Sequence, residues 1–268
     1  IGVGSQRAAI ENRKLEKTFA ISRKMAPEAF LIANIGGPQL ARGYSAKEAK
    51  KAVEMINADA LAIHLNPLQE AIQPEGETNF KYVLEKICEI VQVLNIPIIV
   101  KETGAGISAE DAKMLETAGV SAIDVAGAGG TSWAAVEYYR ARERGDEFRQ
   151  RLGETFWDWG IPTVVSLVEV AQSTNLPIIA SGGIRNGENV AKATVLGANL
   201  AGTASPILQA AVNGPKQVKK VLTYMIEELR NTMFLIGAKS IDDLKKVPAV
   251  LTGKTAEWLT MRGFHPEE

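Results

Sequence analysis

Seven short β-rich runs, each followed by a loop and a helix-period segment, constrain this chain more than any other feature. They are IGVGS (1–5), FLIANIG (30–36), ALAIHLN (60–66), IPIIVKE (96–102), SAIDVAG (121–127), LPIIASG (176–182) and NLAGTAS (199–205). Their apolar character is nearly continuous rather than alternating, the pattern of parallel strands covered on both faces. Between them, AKEAKKAVEMIN (46–57), AEDAKMLETAG (109–119) and NGENVAKATVLG (186–197) have helical periodicity. Ser45, Ser108 and Asn186 stand at expected N-cap positions, and Gly119 and Gly197 where helices should stop. This rhythm predicts an α/β fold of the (β/α)8 TIM-barrel type. A closed barrel needs eight strands, and the chain begins at Ile1, already inside a strand-like run. The expectation is one barrel domain over residues 1–268, with its first strand and N-terminal segment missing from the sequence. The longest interval, 128–175, reads as an elaborated loop with Trp133, Trp157 and Trp159. Its charged run RARERGDEFRQR suits a solvated helix face.

Composition narrows the function classes. With 268 residues, 46% of them hydrophobic, the chain can bury one large core. Thirty basic against thirty-one acidic residues give a net charge of −1, with no basic stripe to meet nucleic acid. No apolar run approaches the ~20 residues needed to cross a bilayer. The single cysteine, Cys88, lies within the helical pattern YVLEKICEIVQVL and can form no internal disulfide or metal cluster. A reducing, cytoplasmic setting fits.

In a barrel, chemistry gathers at the C-terminal ends of the strands. There the chain carries SQR, NIGG, HLNPLQE, KETGAG, AGAGGTSW, SGGIRNG and GTASP, rich in glycine, amides and hydroxyls. ASGGIRNG followed by GTASP is the most informative pair. Backbone N–H groups around Gly183, Ile184, Arg185, Ala204 and Ser205 could cradle a phosphate. The plainer alternative is that Gly182, Gly183 and Gly187 only make tight turns. Lys101, at a strand end beside Glu102, needs an anion or an electron-rich partner, or else a structural ion pair. It could bind phosphate, form a Schiff base or face a flavin. Thr131 and Ser132 close a glycine-rich loop that could lie against a flat ring, while Ser5 and Arg7 offer a hydroxyl and a forked cation. His64 and Asn66 share one strand face as alternate residues. His64 could equally be a core histidine, and Glu70 a helix N-terminal charge.

Together these motifs resemble the type 2 isopentenyl-diphosphate isomerases, FMN-dependent barrels. The likeness runs in order through GVGSQR, NIGGPQL, HLNPLQE with its following PEG, KETGAGIS, DVAGAGGTSW, ASGGIRNG, GTASP and EELRNTMFLIGAKSIDDL. The resemblance implies reduced FMN as cofactor, held by Ser5, Asn34, Lys101, Thr131, Gly183, Ile184, Arg185, Ala204 and Ser205. It implies a small diphosphate substrate bound by Ser5, Gln6, Arg7, His64, Asn66 and Gln69, with Gln69 catalytic. Glu70 is expected to hold Mg²⁺, since a bare carboxylate would repel the diphosphate, and NADPH to enter only as flavin reductant. A homo-oligomer, tetramer or octamer, is expected. Ala126 departs from the family pattern, standing where many members place a serine against FMN, and the family's front stretch has no counterpart here. A second enzyme class, the FMN-dependent 2-hydroxy-acid oxidases, needs a histidine base on a late strand. No histidine occurs between His64 and His265, and Cys88 lies mid-helix, away from any nucleophile position. An inactive phosphate-binding fragment is the non-enzyme alternative, separated from both by FMN stoichiometry.

Overall fold

The computed structural model describes residues 1–264. Six parallel strands pair in sequence order: β1 (Ile32–Gly36), β2 (Ala60–His64), β3 (Ile98–Lys101), β4 (Ala122–Asp124), β5 (Ile178–Ala180) and β6 (Leu200–Ala201). The run at 1–5 contributes one parallel bridge, Gly2 to Ile32, flanked by hydrogen bonds from Val3 to Ile32 and from Ile32 to Ile1. Seven parallel segments are therefore present, the first thinned to a bridge because Gly2 and Gly4 bring no side chain to pack.

Helix α1 (Arg7–Glu11), a 3-10 turn (Arg13–Leu15) and α2 (Glu16–Met25) precede β1. Between β1 and β2 lie α3 (Gly37–Ala41) and α4 (Ala46–Ile56), and between β2 and β3 lie α5 (Pro67–Ile72) and α6 (Val83–Val93). Helix α7 (Ala109–Thr117) leads into β4. The interval 128–175, expected as a loop, holds α8 (Trp133–Arg144), α9 (Glu147–Thr155) and α10 (Thr163–Ser173). Gly145, at φ +71°, ends α8, and the Asp146 side chain accepts the Arg149 N–H to start α9. The charged run is thus two helix ends meeting at a turn. After β5 come α11 (Gly187–Val195), β6, α12 (Ser205–Val212), α13 (Pro215–Leu235), α14 (Ile241–Leu244) and α15 (Gly253–Met261).

The expected caps hold the helix starts. Ser45 and Glu48 form a reciprocal capping box on α4, while Ser108 and Asn186 accept N–H groups of α7 and α11. Each such cap is worth about 1 kcal/mol.

Alternation along the strands divides the sheet into two faces. Ala33, Ile35, Leu61, Ile63, Ile98, Val100, Ile123 and Ile178 join the main core with helix residues such as Ala49, Ile56, Ile87, Ile90 and Leu167. Asn34, His64, Lys101 and Asp124 therefore face the opposite way. Register pairs His64 with Lys101 and Lys101 with Asp124, placing three side chains in one row at the strands' C-terminal ends. Among the described residues, neither the Gly2 segment nor β6 pairs on its outer side. Apolar residues are exposed at both margins, including Ile1, Phe30, Leu200 and Leu208. Among the described residues no helix is long and apolar enough to cross a membrane.

Candidate active site

The row of inward side chains is organised around one cation. The Lys101 ammonium donates to the carbonyl of Glu102. The Glu102 carboxylate does not pair with it, because one oxygen accepts the N–H groups of Thr103, Gly104 and Ala105 at 2.6, 2.9 and 2.7 Å. The other oxygen is buried without a partner, and burial pushes the pKa of this carboxyl up. His64 Nδ1 lies 2.8 Å from Asn34 Oδ1. Burial first, and the Lys101 charge second, push its pKa down to about 4, so the ring is neutral at pH 7. Asp124 accepts from the Ser181 hydroxyl at 2.6 Å and from the Ala126 N–H at 3.3 Å.

The HLNPLQE segment closes one side of this row. Asn66 Nδ2 donates to Gln69 Oε1 and Glu70 Oε1, each at 3.1 Å, while the buried Asn66 Oδ1 has no partner. Glu70 Oε2 accepts the Glu77 N–H at 2.6 Å, which folds the PEG turn back over α5. Gln69 Nε2 donates to Glu137 Oε1 at 3.1 Å, and Arg140 Nη1 donates to both Glu137 oxygens at 2.8 Å. From α9, Arg149 holds the carbonyls of Ile72 and Gln73. The Gln69 amide is thereby fixed between an amide donor and a carboxylate acceptor. Among the described residues no three His, Cys, Asp or Glu side chains converge as a metal centre. Glu70 with the unpartnered Asn66 oxygen still suits a hard cation whose other ligands come from substrate and water.

Two glycine loops interlock at the far side. A Cβ on Gly183, at φ +87°, would lie 2.4 Å from the Gly129 carbonyl oxygen. Thr163 Oγ1 donates to the Gly182 carbonyl at 2.6 Å, and Arg185 Nη2 to that of Gly129 at 3.2 Å. The N–H groups of Gly183, Ile184, Ala204 and Ser205 find no acceptor among the described residues. That is a backbone cradle fit for a phosphate. Arg185 differs from expectation, since its own N–H is spent on Asn189 Oδ1 at 3.1 Å. The first N–H of α11, from Gly187, is likewise taken, by Glu228 of α13 at 2.8 Å. Thr131 is exposed at the rim.

The start of the chain is placed less favourably. Gln6 is fully buried, donating to the Ala52 carbonyl and accepting the Asn34 N–H at 2.8 and 2.9 Å. It packs the chain onto α4 and has no free group for a substrate, which corrects the expectation for it. Arg7 pairs with Glu11 at 2.9 Å, and Ser5 is exposed. Asn34 spends its Nδ2 on the Val3 carbonyl at 3.0 Å and its oxygen on His64, so it joins the row as a brace. Glu137, Asp124 and Ser181 were not foreseen. Glu137 falls on the buried stripe of α8 with Ala134 and Ala141, and Asp124 interrupts an apolar strand. A charge inside an apolar pattern was the signal for both.

The parallel α/β fold is shared with oxidases of known structure. A lactate oxidase from Pediococcus acidilactici superposes with a TM-score of 0.57 at 22% identity, over 84% of this chain and 62% of that one. A mandelate oxidase variant gives 0.58 at 19% identity, over 94% and 78%. At these identities the likeness is of fold alone. A family model described as FMN-dependent dehydrogenase matches residues 5–250. Proteins named isopentenyl-diphosphate delta-isomerase are far more similar. That of Methanothermobacter thermautotrophicus is 55% identical over 268 residues, all of this chain and 73% of its own length. That of Pyrococcus furiosus is 52% identical over 267 residues, 98% of this chain and 67% of its own. The chain belongs to the isopentenyl-diphosphate delta-isomerases within the FMN-dependent dehydrogenase family.

Proposed function

We propose that this chain interconverts isopentenyl diphosphate and dimethylallyl diphosphate, with FMN in its reduced form bound at the strand ends. The observation that carries this reading is the Glu70–Asn66–Gln69–Glu137 cluster, two linked uncharged amides with a carboxylate at each end. The reaction adds a proton at one carbon and removes one at another, through a cation-like state. A neutral amide can touch the alkene without trapping that cation as a stable ion pair, and Gln69 is such a group. Glu137 orients it and offers a carboxylate behind it. Glu70 would hold Mg²⁺, which would offset the negative charge of the diphosphate beside this carboxylate. Asn66 Oδ1 and the neutral His64 ring bound the diphosphate.

The N–H groups of Gly183, Ile184, Ala204 and Ser205 suit the FMN phosphate, and Thr131 and Lys101 suit the ring. Reduced FMN supplies a proton-carrying group and a negative ring edge, which the Lys101 ammonium stabilises. NADPH serves only to reduce the flavin, and the protein works as a cytoplasmic homo-oligomer.

The test is to follow isopentenyl diphosphate by ¹H NMR with FMN, dithionite and Mg²⁺. Because the sheet margins are open, the assay is run on the chain alone and supplemented with the part of the Methanothermobacter relative outside the match. We expect dimethylallyl methyl signals from the supplemented form and a rate orders of magnitude lower from the chain alone. In the active form, Gln69→Asn should cut turnover more than diphosphate affinity. No product from either form would refute the reading.

A further inference from the structure

One buried carboxylate in the row has no part in the chemistry described so far. Asp124 is 8% exposed and sits on β4 as the register partner of Lys101. Neighbouring strands lie about 4.8 Å apart, so the half-buried Lys101 ammonium and the buried carboxylate share one row at the strand ends. The carboxylate is not free to swing. Its Oδ1 is pinned by the Ser181 hydroxyl from the end of β5 and by the Ala126 N–H just beyond β4. Ala126 itself is held at φ +36°, a conformation rarely adopted by a residue with a side chain. The strand end is therefore shaped to aim an N–H at Asp124.

We propose that Asp124 is a positioning residue of the cofactor site, the fixed counter-charge that sets how strongly Lys101 favours a negatively charged flavin. The proposal rests on FMN being the ligand of the glycine cradle. An ammonium without a counter-charge in this row would bind the reduced, anionic ring much more tightly than the oxidised, neutral one. A carboxylate on the next strand moderates that preference. The groups facing Asp124 are few. Lys101 comes from β3, and Ser181, which does not titrate in this range, from β5. His64, one strand further, is neutral, and the Glu102 carboxylate is turned onto loop N–H groups. Burial pushes the Asp124 pKa up, while Lys101, the Ser181 hydroxyl and the Ala126 N–H oppose that shift. The counter-charge consequently strengthens as pH rises.

The experiment compares wild type, Asp124→Asn and Ser181→Ala, each loaded with FMN, by dye-equilibrated reduction across a pH series. Asparagine keeps the size of the side chain and can still bond Ser181, but carries no charge. We expect Asp124→Asn to raise the ratio of reduced to oxidised FMN affinity at least tenfold, a midpoint about 30 mV more positive for a two-electron couple. The difference from wild type should widen with increasing pH. Ser181→Ala, which keeps the charge, should move the midpoint much less. A midpoint for Asp124→Asn equal to wild type at every pH would overturn the proposal. So would a Ser181→Ala shift as large as that of Asp124→Asn, since lost geometry would then explain both. Failure of wild type to retain FMN would instead refute the FMN reading, and this proposal with it.

Discussion

Buried beside Lys101 and bonded to the Asn34 amide, the His64 ring keeps its neutral form down to about pH 4. An unfolded histidine titrates near 6.5. Between those values the unfolded chain binds a proton that the folded chain does not, so folded stability falls as pH drops through that window. The loss reaches about 3 kcal/mol at pH 4. Glu102 and Asp124, whose pKa values are raised by burial, act with the opposite sign: the fold keeps their protons longer, and their contribution weakens as pH rises. We expect His64→Gln to flatten the fall in urea midpoint between pH 7 and 5 by comparison with wild type. Parallel curves would show that the ring protonates freely in the fold. At this scale the strand-end residues were legible, because Asn66, Gln69, Glu70 and Lys101 sit where polar groups interrupt apolar runs. Gln6 was misread, since nothing local to SQR indicates that its amide reaches Ala52. Glu137 escaped notice because the charged run that begins at Arg140 draws attention from the single charge in the apolar stretch just before it.

Helix α15 is fastened to α10 and α7 by the side chain of its C-cap, Arg262, and by apolar packing. Arg262 donates to Glu169 at 3.1 and 3.0 Å and to Glu110 at 2.7 and 2.9 Å. The Glu169 side chain is 1% exposed and, among the described residues, otherwise accepts only the Ala109 N–H, at 3.1 Å. Leu259 on the same helix packs with Val165 and Val168. Removing the guanidinium leaves a buried carboxylate without its counter-charge, while the partial exposure of Arg262 limits the loss. Arg262→Met should cost about 1–3 kcal/mol by urea unfolding, and adding Glu169→Gln should recover part of it. If the double variant is no more stable than Arg262→Met, the ion pair is not what holds α15. Helix starts were readable wherever a short polar side chain preceded an apolar period, as at Ser45, Ser108 and Asn186. The helices between 133 and 173 were not, because α8 and α9 bury small residues rather than a strong apolar stripe. Their packing rests on Ala134, Ala141 and Gly153, and on edge contacts among Tyr138, Tyr139 and Trp157.

The parallel order of the sheet places residues as distant in sequence as His64 and Ser205 at the same end of the strands. That arrangement was legible from continuous apolar runs alone, whereas the weakness of the first run was not, because a bridge and a strand share the same short sequence. The function follows if the interlocked glycine loops hold FMN and thereby set the ring beside Lys101 and Gln69. Gly183 is the point where this can be tested with least ambiguity. A valine there would meet the Gly129 carbonyl oxygen at 2.4 Å and would have to adopt φ +87°. The decisive measurement is a fluorescence titration of FMN into wild type and Gly183→Val, with circular dichroism to establish that both are folded. One FMN should bind per wild-type chain and none measurably to the folded variant, whereas equal binding by the two would place the flavin elsewhere and contradict the assignment of the site.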